Sequence, residues 1–210
     1  MNNKIHTVIF DLDGTLSDSA VLTMEVFKQV APNHGMPIPS MDDIRRTTGH
    51  PNPGFYYILF PDHNRDLVHN MGLLVEEEEQ KLLPSLSTRL LFEGCRELLT
   101  RLKENGTRLC IASTGDKTHV FSILKETGLI SFFDKILCGS PDKTEMLREI
   151  INGGDKSGFV MVGDMKKDYE AARANGIMSV GACYGYCIKE ISEFDFYINA
   201  PLDLLDVIKI

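Results

Sequence analysis

Thr7-Val8-Ile9-Phe10-Asp11-Leu12-Asp13-Gly14-Thr15-Leu16 is an apolar run that breaks into two acids, a glycine and a hydroxyl. The first four residues suit a central strand covered on both faces. Asp11 then falls where the sheet ends, a poor place for an idle carboxylate. Asp13 lies two residues on, so persisting extended geometry would point both carboxyls to one side. Paired carboxylates divide labour: one stays ionised as a nucleophile, while the other carries a proton as general acid and then acts as base. Gly14 relieves the turn and Thr15 can fix it by hydrogen bonding. Taken alone, the pentapeptide is also compatible with an ordinary Asp-Gly turn.

Outward from this stretch, short apolar runs recur at residues 108–112, 135–138, 159–162, 179–183 and 196–198. Helix-like patterns separate them at 94–105, 118–127, 144–151 and 168–175, with Gly106, Gly128 and Gly176 placed as stops. Such alternation predicts an α/β fold with a Rossmann-like, doubly wound, mostly parallel sheet. Residues 21–86 break the rhythm with helix patterns at 21–30, 41–48 (after Ser40 as N-cap) and 67–83, and no buried strand. This predicts an α/β core of residues 1–16 and 87–210 and an inserted small helical cap of residues 17–86. The run Glu76–Glu79 reads as a solvated helix face.

Composition narrows the function. A chain of 210 residues, 43% hydrophobic, needs no staple to fold. Its net charge of −8 disfavours sequence-independent nucleic-acid binding. No apolar run approaches a membrane span, and the amino terminus lacks a secretory pattern, so a cytoplasmic protein without membrane partners is expected. Cys95, Cys110, Cys138, Cys183 and Cys187 read as reduced, buried small hydrophobes.

The segment Asp11-Leu12-Asp13-Gly14-Thr15-Leu16 after a hydrophobic strand resembles the first motif of the haloacid dehalogenase superfamily, and three later segments resemble the remaining motifs in order. Residues 108–113 end a strand in Ser113, which matches the hydroxyl that binds phosphoryl oxygens. Lys143, near a helix start, matches the family's lysine, although Lys135 and Lys117 compete for that role. Residues 159–164 end in Gly163-Asp164, with Asp168 four residues later. The helical insert sits where the family carries its cap.

The resemblance implies a Mg²⁺-dependent phosphatase that forms a transient aspartyl phosphate on Asp11. Asp11, the Asp13 carbonyl and Asp164 would hold Mg²⁺, an oxygen donor set suited to that ion. Asp168 would support the metal directly, through water or by orienting Lys143. Ser113, Thr114 and Lys143 would bind the phosphoryl group. Asp13 points to phosphate esters, because the dehalogenases of the superfamily lack this second acid. Arg45 and Arg46, with residues 47–51, resemble the cap of phosphoglycolate phosphatase-like members and could meet a substrate carboxylate or sugar phosphate. The expected substrate is a small phosphorylated metabolite. A sugar-phosphate mutase of the β-phosphoglucomutase type and a non-catalytic binding or regulatory protein are the competing readings.

Overall fold

The structure, a computed structural model, describes residues 4–186 and 193–210. Cys187 lies outside the described residues. Six strands, β1 (Thr7–Phe10), β2 (Arg108–Ser113), β3 (Lys135–Cys138), β4 (Phe159–Gly163), β5 (Met178–Ala182) and β6 (Phe196–Ile198), form one sheet in the order β3-β2-β1-β4-β5-β6. Every pairing is parallel. The strand order reverses between β1 and β4, so a crevice opens at their carboxyl ends, the place where such sheets bind ligands.

Burial on both faces explains the unbroken apolar strands. Val8 and Phe10 join Leu109, Ile111, Val160 and Val162 in one core cluster, while the intervening Ile9 joins Cys110, Ala112 and Met161 in another. Period-two alternation thus sends successive side chains into opposite layers. The layers are built with α5 (Cys95–Glu104), α6 (Lys117–Glu126), α7 (Lys143–Ile151), α8 (Lys166–Asn175) and α9 (Asp203–Ile208). Gly176 ends α8 in the left-handed conformation with φ 67°, which a Cβ would disfavour. Cys95 and Cys110 are buried free thiols as expected, whereas Cys138 and Cys183 are only partly covered.

Between β1 and α5 lie four helices, α1 (Ala20–Val30), α2 (Met41–Thr47), α3 (Gly54–Leu59) and α4 (Arg65–Leu86). Ser40 caps α2, its hydroxyl accepting from the Asp43 N–H at 3.1 Å. Phe27 of α1 packs edge-on against Tyr56 of α3 and against Phe60, with centroids 6.4 and 5.8 Å apart. Those rings hold α3, an element the helix patterns at 21–30, 41–48 and 67–83 omit.

The Glu run departs from expectation. Glu77 faces solvent, but Glu79 is buried and Glu76 half-buried. Residues three apart share a helix face, so Glu76 and Glu79 turn together toward the crevice.

Candidate active site

Asp11 extends the β1 ladder by one bond, its N–H donating to the Val162 carbonyl at 2.9 Å. The chain then folds over Leu12, whose carbonyl accepts from the N–H groups of Leu16 and Ser17 at 2.9 Å. Gly14 adopts φ 78°, and a Cβ there would fall 2.3 Å from Asp164 Oδ2. The turn therefore lies directly on the second acidic motif, which only glycine permits. Thr15 closes it by donating to Asp164 Oδ1 at 3.2 Å.

Adjacent parallel strands assemble the remainder. Phe10 is in register with Ile111 and with Val162, so Ser113 and Asp164 emerge beside Asp11. Ser113 is buried, and its Oγ accepts from the Gly115 N–H at 3.1 Å. Lys143 opens α7 and is buried with Nζ 2.6 Å from both Asp11 Oδ2 and Asp168 Oδ1. Of the three lysines considered for this role, it is the one paired with Asp11. Asp168 is fixed from its other side, accepting from the Met165 N–H at 3.0 Å, and Asp164 accepts from the Tyr186 N–H at 2.7 Å.

Asp11, Asp164 and Asp168 each offer an oxygen within 4.8 Å of one another, all three buried. Burial pushes the Asp11 carboxyl up to about 7 against the pull of Lys143. Burial, then the charges of Asp11 and Asp168, hold the Asp164 carboxyl well above the usual range. Three buried carboxylates around a single ammonium leave an excess of negative charge, and their hard oxygens suit a small divalent cation. The residues present thus fit Mg²⁺.

Asp13 stands in different company. His119 of α6 places Nε2 3.0 Å from Asp13 Oδ1 and 3.2 Å from Oδ2. Burial works against ionisation of Asp13, but the charge and hydrogen bond of His119 keep its carboxyl below the usual range. Burial also opposes charge on His119, yet Asp13, with Glu79 and Asp116 behind it, raises the imidazole to about 9. The two acids of the opening motif are thereby separated, Asp11 facing an ammonium and Asp13 an imidazolium. Sequence reasoning did not find His119, since its partner lies 106 residues away.

A cavity of about 560 Å³ adjoins Asp13 and His119 and is walled by α1, α3, α4 and the loop after α2. Thr114 lines it and donates to the Gly49 carbonyl at 3.2 Å, while Lys167 reaches the same carbonyl at 2.9 Å, tying core to helical insert. Neither cap arginine lines it. Arg45 pairs with Asp18 at 2.7 Å with its guanidinium over the Tyr186 ring, and Arg46 pairs with Asp43 on the surface.

An α/β fold whose helical insert stands beside a cluster of buried carboxylates at the strand ends is the class that this fold and site define. Residues 8–182 match the haloacid dehalogenase-like hydrolase model, and the chain belongs to that family. It is 27% identical over 219 residues to the phosphoglycolate phosphatase of Synechococcus elongatus, with 97% of each chain covered. A crystal structure described as a predicted phosphoglycolate phosphatase from Haemophilus somnus superposes with TM-score 0.83 at 20% identity over 97% of each chain. The magnesium-bound hydrolase YfnB of Bacillus subtilis gives TM-score 0.72 at 17% identity, covering 99% of this chain and all of that one. Among the described residues no helix is long and apolar enough to cross a membrane.

Proposed function

We propose that this hydrolase is a Mg²⁺-dependent phosphatase that releases inorganic phosphate from a small-molecule monoester through an aspartyl phosphate on Asp11. The observation that carries this is the division of the two motif acids: Asp11 bound to Lys143 at 2.6 Å, and Asp13 bound to His119 at 3.0 Å on the cavity side.

An Asp11 oxygen attacks phosphorus as the ester P–O bond breaks, and the proton held between Asp13 and the His119 imidazolium passes through Asp13 to the leaving alcohol oxygen. Asp13 then takes a proton from water as that water attacks the phosphorus of the acyl phosphate, regenerating Asp11 and freeing phosphate. Lys143 and the Ser113 hydroxyl, with the Leu12 and Thr114 N–H groups, offset charge on the transferring oxygens, the largest expected contribution to rate. Asp11, Asp164 and the Asp13 carbonyl would hold Mg²⁺, with Asp168 supporting through Lys143. Bound there, the ion would offset repulsion between the nucleophile and the phosphate dianion. Residues 17–86 serve as the cap that closes over the site and limits its exposure to bulk solvent.

Purified protein with Mg²⁺ is assayed for phosphate release from a broad panel of monoesters, beside Asp11→Asn. Release by wild type and its loss in the variant are expected. Full activity of Asp11→Asn would overturn the mechanism. Isomerisation of a hexose 1-phosphate without phosphate release would instead assign a mutase.

A further inference from the structure

The cavity that receives the leaving group carries the wrong charge for an acidic alcohol. Among the described residues no lysine or arginine lines it. Arg45 and Arg46 are committed to Asp18 and Asp43, and Lys143 to Asp11 and Asp168. Lys167 is tied to the Gly49 carbonyl at the rim. The cavity's bases are His119, already shared by Asp13 and Glu79, and His50, whose imidazole burial and Lys167 push toward neutrality.

Against these stand two carboxylates of α4 on one helix face. Glu79 is only 9% exposed, yet it lines the cavity. Its Oε1 accepts from the Thr23 hydroxyl at 2.6 Å. Glu76 Oε1 accepts from Asn52 Nδ2 at 2.8 Å. Phe55 and Tyr56 complete this wall, and the Tyr56 hydroxyl hydrogen-bonds to Glu76. A carboxylate buried without a matching cation is costly, and a ligand that supplies the cation relieves that cost. A leaving group bearing its own carboxylate would add to it.

Resting on the phosphatase reading above, we infer that the preferred substrate is the phosphate monoester of an amino alcohol. Its phosphate sits at Asp11, Ser113 and Lys143, while its ammonium reaches Glu79 and Glu76. The cavity admits a small primary or quaternary amine on a short carbon chain. Glu79 and Glu76 are the residues that select it, and their raised carboxyl pKa values, caused first by burial, fit a wall that waits for a counter-charge.

The test compares kcat/KM, with Mg²⁺ present, for ethanolamine phosphate and glycolate phosphate, two esters of nearly equal size whose leaving groups differ in charge sign. Choline phosphate and p-nitrophenyl phosphate are run beside them. Wild type is expected to favour ethanolamine phosphate over glycolate phosphate by about tenfold or more, the effect of one charge-assisted contact. The Glu76→Gln/Glu79→Gln double variant should lower that ratio by about tenfold or more, and Glu76→Gln alone should lower it in the same direction if the double variant does not fold. A wild-type ratio below tenfold, or one unmoved by the substitutions in folded protein, overturns the amino-alcohol assignment. If p-nitrophenyl phosphate is hydrolysed in that case, the phosphatase reading stands. Release from none of the four overturns both.

Discussion

Replacing Lys143 by methionine tests the electrostatic account of the site. The side chain is 2% exposed and contacts two carboxylates at 2.6 Å. At an effective dielectric constant of 20, each contact is worth roughly 6 kcal/mol of gross attraction, most of it offset by desolvation of the charges. Methionine keeps the buried stem but leaves the acids uncompensated, which typically costs about 3–5 kcal/mol. In a domain of this size that lowers Tm by about 6–20 °C.

The pH dependence of this loss has a definite sign. Asp11 already titrates at about 7 in the folded protein, above its ordinary value of 3.8, with burial as the chief cause and Lys143 opposing. Without Lys143 it rises further, so the folded variant binds more protons than the unfolded chain up to a higher pH. Stability then falls as pH rises through that window, and the deficit relative to wild type is largest near pH 8. The lysine's own pKa is raised above 10.5 by Asp11 and Asp168 against the cost of burial. The lysine therefore stays charged throughout an assay between pH 5 and 8, and the change with pH comes from Asp11. Urea unfolding of both proteins in chelator at pH 5 and pH 8 measures the difference. A variant within about 1 kcal/mol of wild type at pH 8, or a deficit that shrinks with rising pH, would refute the claim that the buried acids depend on this ammonium.

Other perturbations separate the parts of the site. Gly14→Ala places a Cβ 2.3 Å from Asp164 Oδ2 at a positive φ, and should cost about 1–2 kcal/mol while weakening the rise in Tm on adding Mg²⁺. For wild-type protein stripped by chelator, Mg²⁺ at about 100 times its Kd should add about 2.7 kcal/mol of stability, and calorimetry with and without the ion checks this. His119→Ala removes the imidazolium that positions Asp13 and supplies its proton, so turnover of alkyl phosphates should fall by about 10–100-fold. Turnover of p-nitrophenyl phosphate should fall far less, since its leaving group needs no proton, and equal losses on both would show that His119 serves only folding. Arg45→Ala unpairs the partly buried Asp18 and should cost about 1 kcal/mol in thermal unfolding, an amount typical of an ion pair at the edge of solvent.

What could be read from the chain alone, and what could not, follows from how each group reaches the site. Asp11, Ser113 and Asp164 each sit at or just beyond the end of an apolar strand, and parallel pairing alone brings strand ends together. A local pattern therefore specifies a long-range cluster, and the three strand-end motifs were legible for that reason, whereas Lys143 opens α7 and had Lys135 and Lys117 as competitors. His119 has no such address. It lies in the first turns of α6 within an ordinary amphipathic stretch, and only the packing of α6 beneath the insert carries it to Asp13. Glu76 and Glu79 were hidden differently, because a block of four acids looks solvated until the helix phase separates positions three apart from those between them. Arg45 drew attention as a substrate contact and instead pairs with Asp18 beside the chain's entry to the insert. The proposed chemistry thus draws mainly on residues that strand ends place, while the proposed selectivity draws on α4, α3 and α6, with α3 packed against α1 through rings such as Tyr56 and Phe27. A relative 27% identical can keep every motif and still present a different wall to the leaving group. Resemblance therefore carries the reaction further than it carries the substrate, and the charge of the cavity is the better guide to what is hydrolysed.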